Sequence, residues 1–158
     1  MGTKRKLRRQ LSNFLSWHDA HADFEAAVAN LPAKFRGRVP PGLPYSPWQL
    51  LEHLRLAQRD ILEFCTAKTY EKKAWPDDYW PTDPAPPSAK AWEKSVAAFK
   101  KDRAAYQKLI ADPALDLFEP VPHGKHTYLR EVLLAADHAS YHIGQLVYAR
   151  RVLGAWKD

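Results

Sequence analysis

The sequence is poor in cysteine and has no long hydrophobic run, and each absence excludes a class of protein. Cys65 is the only cysteine in 158 residues, so no intramolecular disulfide can form and a reducing compartment fits. No stretch approaches the roughly 20 apolar residues of a membrane-spanning helix, and no apolar signal core follows the basic N-terminus. We therefore expect a soluble cytoplasmic protein with no membrane partner.

Signals for β-structure and for nucleic-acid binding are also missing. No stretch alternates polar and apolar residues for long enough to indicate a strand, and there is no internal repeat. The net charge is +6, and several of the cations lie at the N-terminus: Lys4, Arg5, Lys6, Arg8 and Arg9. No aromatic residues are interleaved with this run and no nucleic-acid motif follows it. A solvated helix start is the favoured interpretation, and these observations disfavour a nucleic-acid partner.

Proline, by contrast, is abundant, and its distribution predicts the fold. The 13 prolines form three clusters, within residues 32–47, 76–87 and 113–122. Proline breaks helix interiors because it lacks an N–H donor and clashes with the preceding turn. The intervening stretches therefore predict an all-α protein, a four-helix bundle with long proline-rich connecting loops. We expect a single domain over residues 1–158 with helices at about 6–31, 47–67, 88–111 and 127–153.

Local signals support these helices. An apolar stripe with steps of three and four residues defines the first one: Phe14, Trp17, His21, Phe24, Val28 and Leu31. The second begins with the capping box Ser46-Pro47-Trp48-Gln49. Ser88 is the expected cap of the third helix, and the fourth is expected to start near Thr127 and to end before Gly154.

The middle loop contains a segment that is rich in rings, Trp75-Pro76-Asp77-Asp78-Tyr79-Trp80-Pro81. Long loops at the end of a helical bundle often build binding sites, so this segment is a candidate wall for a pocket. It is equally suited to plug the end of the bundle. The large area that the rings can bury favours the plug.

Three histidines on predicted helices point to a metal site. His138 and His142 are four residues apart, which places both imidazoles on one helix face. His53 lies at the edge of the apolar face of the second helix. Two inward histidines from one helix and one from another can form a three-nitrogen site with open positions for water or substrate. Histidines that serve only the core fit the same pattern, so the spacing alone leaves both interpretations open.

The residues around these histidines carry a family resemblance. Residues 137–146 follow the pattern D-H-x-x-Y-H-x-G-Q-L, and Trp48 to His53 form a W-x-x-x-x-H element on the second helix. Together with the four-helix layout, these motifs resemble the DinB-like superfamily (DinB/YfiT) of metalloenzymes over about residues 10–153. By matching position, the resemblance implies that His53, His138 and His142 bind a divalent metal.

The resemblance implies less about the reaction. Some members of the superfamily are thiol-dependent S-transferases or isomerases that use a low-molecular-weight thiol such as bacillithiol or mycothiol, and others are described as metal-dependent hydrolases. An open-sided metal can activate a thiol or a water by lowering its pKa. Zn²⁺ suits three imidazoles best, and Ni²⁺, Fe²⁺ and Mn²⁺ also occupy such sites. The expected substrate is an unidentified small molecule, and the family resemblance favours a homodimer.

Two further interpretations remain. One is a non-catalytic four-helix bundle with a binding or stress-related role, in which the histidines are structural or bind metal adventitiously. The other, less favoured, is a nucleic-acid-binding protein. Neither requires a substrate.

Four other polar residues are candidates for catalysis: Gln49, Gln145, Asp137 and His21. The two glutamines lie within a turn of the histidines and can hydrogen-bond a ligand or substrate. Asp137 either orients an imidazole or faces solvent or another helix. His21, which lies in the first apolar stripe, is either a fourth ligand, a donor that hydrogen-bonds a ligand, or a core histidine held by a hydrogen bond. The core position is favoured.

The remaining candidates are expected to lie outside the site. His18 is at the edge of the first stripe, and His123 and His126 are expected at the surface. Cys65 is about 18 Å along the helix from His53, which is too far to bind the same ion. It is expected to be a small core residue.

Overall fold

The computed structural model describes residues 2–157, and this part of the chain is helical. Six helices follow one another: α1 (Thr3–Phe14), α2 (Phe24–Val28), α3 (Ala33–Arg36), α4 (Pro47–Thr66), α5 (Ala91–Ala111) and α6 (Tyr128–Val152). Within the described residues there is no strand, only one isolated bridge between Pro120 and Thr127. The predicted all-α class is confirmed. None of the described helices is both long enough and apolar enough to span a bilayer.

The packing of the long helices places α4 between α5 and α6, while α1 lies against α5 and α6. Leu51 and Leu54 near the start of α4 share a core cluster with Ile143 and Leu146 near the end of α6. Leu62, later in α4, shares the other cluster with residues from the start of α6. The two helices therefore run antiparallel. The full four-helix-bundle layout stays a prediction, because two short helices, α2 and α3, join the long ones.

The continuous first helix predicted over residues 6–31 is wrong. Helix α1 ends at Phe14, and Asp23 starts a new short helix by accepting a hydrogen bond from the Ala26 backbone N–H at 2.7 Å. A capping aspartate offers the backbone a local alternative to continuing a helix. Trp17 is 48% exposed, and His21 is also exposed. The apolar spacing that predicted one helix therefore runs across two segments that belong to different helices.

The caps of α4 and α6 match their predictions. The Ser46 hydroxyl accepts from the Gln49 N–H, and the Gln49 side chain accepts from the Ser46 N–H, both at 3.1 Å. Thr127 caps α6, and Gly154, with φ of +69°, ends it in the left-handed conformation that glycine adopts at little cost. The Ser88 cap is wrong, because Lys90 is the N-cap of α5 and supplies no side-chain hydrogen bond.

Candidate metal centre

Helices α4 and α6 bring three histidine side chains to one point. The Nε2 atom of His53 lies 3.0 Å from Nε2 of His138 and 3.1 Å from Nε2 of His142. The candidate ligand atoms of all three residues lie within 4.8 Å of one another. His53 and His142 are buried, and His138 is half-buried. The structure therefore assembles the trihistidine cluster that the sequence predicts.

Hydrogen bonds on the far side of two rings decide which nitrogen carries the proton. The Tyr79 carbonyl accepts from Nδ1 of His53 at 3.0 Å, and the Gln145 Oε1 atom accepts from Nδ1 of His142 at 2.6 Å. A carbonyl oxygen can only accept, so both Nδ1 atoms carry the proton in the neutral rings. Both Nε2 atoms then present a lone pair toward the centre of the cluster.

The surroundings keep the three imidazoles uncharged. Burial lowers the pKa of His53 to about 4 and, together with the neighbouring histidines, that of His138 to about 3. Burial also lowers the pKa of His142, although its hydrogen bond to Gln145 opposes this effect. Since imidazole binds a metal only in its neutral form, all three rings are ready to act as ligands at neutral pH.

The cluster fits a divalent cation. The two Nε2 lone pairs of His53 and His142 face each other across 3.1 Å, an arrangement that is repulsive unless a cation or a shared proton lies between them. Nitrogen atoms that bind one tetrahedral Zn²⁺ ion at about 2.0–2.1 Å are themselves roughly 3.3–3.4 Å apart. The observed separations of 3.0 and 3.1 Å are shorter by a few tenths of an ångström, so a small outward movement of the rings would admit the ion. The donor set is therefore suited to an ion such as Zn²⁺.

The segment from Trp75 to Pro81, called the wall segment below, forms a wall of the site. The Trp80 ring stacks on the His53 imidazole with centroids 3.8 Å apart and an angle of 7° between the planes. Trp75 approaches the same imidazole at 6.2 Å but is 69% exposed. The segment combines the two expected roles: the Tyr79 carbonyl and the Trp80 ring face His53, and Trp80 also packs against a core cluster, as a plug would. Trp75 does not share the plug role, because its side chain is largely in solvent.

Asp60 anchors this segment to α4. Its two carboxylate oxygens accept hydrogen bonds from the hydroxyls of Tyr70, at 3.0 Å, and Tyr79, at 2.6 Å. Burial and the Asp60 carboxylate raise the pKa of Tyr70 to about 12 and also raise that of Tyr79. Gln49 adds a further link, from its Nε2 to the Pro81 carbonyl at 3.0 Å. Sequence analysis missed Asp60, although a position seven residues after His53 shares its helix face.

The other candidate residues divide between the site and the surface. Gln145 contacts His142 directly, whereas Gln49 serves the α4 cap and the wall segment. Asp137 is exposed, which agrees with the alternative in which its side chain faces solvent. His21 is exposed and its Nδ1 lies 2.9 Å from the Ala22 carbonyl, so the favoured core position is wrong. This exposed position gives no support to the alternative in which His21 is a fourth metal ligand.

The histidines and the cysteine that were expected outside the site do lie outside the trihistidine cluster. His18 is exposed. His123 is half-buried, with Nε2 at 2.7 Å from the Ala67 carbonyl, so its surface placement is wrong. His126 is exposed and pairs with Glu131. Cys65 is buried in the interior, as predicted.

An all-α chain with three convergent histidines on two helices defines a class of helical protein with a candidate metal centre. The sequence profile of the DinB superfamily matches residues 16–146, a range that includes His53, His138 and His142. The chain belongs to the DinB superfamily. No curated protein and no solved structure matches it.

Proposed function

We propose that this protein is a metal-dependent enzyme in which His53, His138 and His142 hold one divalent ion, Zn²⁺ being the first candidate. The observation that carries the proposal is the convergence of three Nε2 atoms while Nδ1 of His53 and of His142 is engaged by a carbonyl oxygen. Ni²⁺, Fe²⁺ and Mn²⁺ are the alternatives, since the same nitrogen ligands accept them.

The proposed reaction is transfer of a thiol to a small electrophile, or hydrolysis of a small molecule. A divalent ion bound by neutral imidazoles lowers the pKa of a thiol or a water and polarises an electrophile. The Tyr79 carbonyl and Gln145 hold the imidazoles in one tautomer and one orientation. A hydrogen bond from the far nitrogen of a ligating imidazole to an acceptor raises the basicity of the ligating nitrogen.

Aromatic side chains at the surface support an approach route for a small apolar substrate. Trp80 covers one face of His53, and Tyr141 meets His142 edge-on with centroids 4.9 Å apart. Tyr141 and Trp75 are 65% and 69% exposed. Exposed rings beside a candidate metal centre offer apolar contact area at low entropic cost, as in other binding sites.

A homodimer is part of the proposal. The exposed side chains of Tyr141, Tyr148 and Val152 recur at steps of seven and four along α6 and therefore share one face of the helix. An apolar stripe of this kind on a surface helix is typical of a protein interface. Light scattering at several protein concentrations tests this part of the proposal. A monomer at every concentration would contradict it.

Metal analysis of protein purified without an affinity tag tests the centre itself. We expect about one divalent ion per chain, and close to none in a His53→Ala/His138→Ala double variant. His123→Ala is the matched control, because it removes a half-buried histidine that lies outside the cluster. Equal metal content in the wild type and the double variant would overturn the proposed centre.

The reaction class needs a separate assay with each reconstituted metal. For thiol transfer, cysteine or glutathione with 1-chloro-2,4-dinitrobenzene provides a model pair. For hydrolysis, p-nitrophenyl acetate reports ester cleavage. We expect metal-dependent turnover in one assay and its loss in His142→Ala. Metal-loaded protein that is inactive with broader panels of thiols, electrophiles and esters would favour the non-catalytic interpretation.

A further inference from the structure

Two consecutive residues of the wall segment restrain the imidazole of His53. The Tyr79 carbonyl accepts a hydrogen bond from Nδ1 at 3.0 Å, and the Trp80 ring stacks on the imidazole with centroids 3.8 Å apart. His53 is the α4 member of the trihistidine cluster. The orientation of this proposed ligand is therefore set by a loop as well as by its own helix.

The part of the loop that precedes Tyr79 packs poorly against the bundle. Residues 71–78 are all exposed to solvent, and Tyr79 is the first half-buried residue after them. The backbone hydrogen bonds of this stretch are local, from the Asp78 N–H to the Ala74 carbonyl and from the Tyr79 N–H to the Pro76 carbonyl, both at 3.0 Å. Such bonds shape the turn without attaching it to a helix. The position of Tyr79 therefore depends on what its own side chain contacts.

The Tyr79 side chain is attached to α4. Its hydroxyl donates to a carboxylate oxygen of Asp60 at 2.6 Å, while its backbone carbonyl accepts from His53. Asp60 and His53 are seven residues apart on α4, which places them on one face of the helix and about 10 Å apart along its axis. One residue of the loop is thus bonded to the same helix at two points that are two turns apart.

The other contacts of the wall segment act on its neighbouring residues. Trp80 stacks on Tyr45 with centroids 3.9 Å apart, and the Gln49 side-chain amide donates to the Pro81 carbonyl at 3.0 Å. Stacked rings tolerate lateral offsets, whereas a hydrogen bond needs its acceptor close to the direction of the N–H bond. The carbonyl of Tyr79 is therefore the restraint on His53 that depends most on the hydroxyl contact.

From these observations we propose that Asp60 is a positioning residue for the metal centre and that it acts through Tyr79. The carboxylate fixes the tyrosine side chain, and the tyrosine carbonyl then holds the proton on Nδ1 of His53. Nε2 of this imidazole consequently keeps its lone pair directed at His138 and His142. The proposal rests on the metal centre proposed above, and it adds a residue that is not one of the ligands.

A pair of tyrosine variants tests this route. Tyr79→Phe and Tyr70→Phe each delete one hydroxyl that donates to Asp60, at 2.6 and 3.0 Å, but of the two it is Tyr79 whose carbonyl accepts from His53. Tyr79→Phe should lower the affinity for Zn²⁺ by about three- to tenfold, less than the roughly 10- to 100-fold loss typical of a contact made directly to a ligand. Tyr70→Phe should stay within about twofold of the wild type. Competition with a chromogenic chelator measures both.

The tautomer of His53 gives a readout that a general loss of stability would not change. Long-range ¹H–¹⁵N NMR of the metal-free full chain at neutral pH distinguishes a proton on Nδ1 from a proton on Nε2. The proton should lie on Nδ1 in the wild type and in Tyr70→Phe, and a measurable fraction should move to Nε2 in Tyr79→Phe. An unchanged tautomer in Tyr79→Phe, or the same change in both variants, would overturn the proposal whatever their melting temperatures.

A double-mutant cycle tests whether Asp60 acts through Tyr79. Asp60→Ala removes the acceptor of the Tyr79 hydroxyl, so it should lower the affinity for Zn²⁺ and shift the His53 tautomer as Tyr79→Phe does. In Asp60→Ala/Tyr79→Phe the two losses of affinity should not add, because both substitutions break the same contact. Additive losses would show that Asp60 affects the centre by another route, which would contradict the proposal.

The proposed centre and the proposed role of Asp60 can fail separately. If the wild type binds no divalent ion, the centre is wrong, and the tautomer in the metal-free protein then decides only whether Asp60 orients His53. If the wild type binds an ion and Tyr79→Phe keeps both the affinity and the tautomer of the wild type, the centre stands and the role of Asp60 is wrong.

Discussion

Helix α6 carries two polar groups, one buried and one half-buried, whose surroundings differ. Glu131, in the first turn, is 2% exposed, and one of its oxygens accepts hydrogen bonds from Arg130 Nη1 at 2.9 Å and His126 Nδ1 at 3.0 Å. His138, seven residues later and thus about 10 Å along the helix, belongs to a cluster of nitrogen atoms with no opposite charge among its contacts. The carboxylate has its partners, while the imidazoles direct lone pairs at one another.

The difference separates a structural polar group from a candidate ligand. Near the helix N-terminus, Glu131 also interacts favourably with the helix dipole, so its burial needs nothing beyond the chain itself. The cluster of His53, His138 and His142 is complete only when a cation or proton occupies its centre. Substitutions at the two places should therefore affect different quantities, metal affinity at one and stability at the other.

The largest expected effect is on metal affinity. His142→Ala removes one of three proposed ligands and should lower the affinity for Zn²⁺ on the order of a hundredfold or more, since each ligand contributes several kcal/mol. Competition with a chromogenic chelator measures the change. His123→Ala and Glu131→Gln should stay within about threefold of the wild type. Similar losses in His142→Ala and His123→Ala would show that the α6 ligands are wrongly assigned.

A smaller loss is expected when the contact behind a ligand is removed. Gln145→Leu deletes the acceptor of the His142 Nδ1 proton and should lower metal affinity by about 10- to 100-fold. Gln107→Leu is a matched control, because it removes an amide that donates to the Ser12 carbonyl elsewhere in the fold. If both variants bind metal alike, the orientation of His142 does not depend on Gln145.

Glu131 should matter for stability and not for metal. Glu131→Gln keeps the size of the side chain but removes its charge, and we expect unfolding to become easier by about 1 kcal/mol. Both partners, Arg130 and His126, are substantially exposed, which keeps the effect small. Urea denaturation gives the free energy of unfolding, and metal content in the same preparation should remain that of the wild type. A parallel loss of metal would mean that the two clusters are coupled.

A further expected effect is a pH dependence of the metal-stripped protein. The pKa of His53 is about 4 in the fold and about 6.5 in the unfolded chain, so the unfolded chain takes up the proton first as the pH falls. The free energy of unfolding should therefore decrease from about pH 6.5 toward pH 4. His53→Gln should flatten this dependence, and Glu131→Gln should leave this histidine-dependent decline in place. Equal slopes in wild type and His53→Gln would contradict the burial effect.

Much of the candidate centre was predictable from the sequence, because part of its geometry is local. The spacing of His138 and His142 places both on one face of a helix, and the Ser46 capping box sets the register at which His53 follows. The break after Phe14 was not predicted, since the apolar spacing continues through Trp17 even though the chain leaves the helix there. The sequence also did not predict the hydrogen bond from His53 to the Tyr79 carbonyl, or the contact between Asp60 and the wall segment. A backbone acceptor has no sequence signature, and the tyrosine hydroxyls reach Asp60 through a long loop.

The sequence by itself determined where α4 and α6 begin and which histidines share a face of α6, since caps and helical periodicity act over three to four residues. Only the tertiary structure decided that His53 meets His138, 85 residues away, and that Trp80 stacks on its ring. These contacts arise when antiparallel α4 and α6 bury their apolar faces together. The free energy of that burial is distributed over the whole core, and no single motif encodes it.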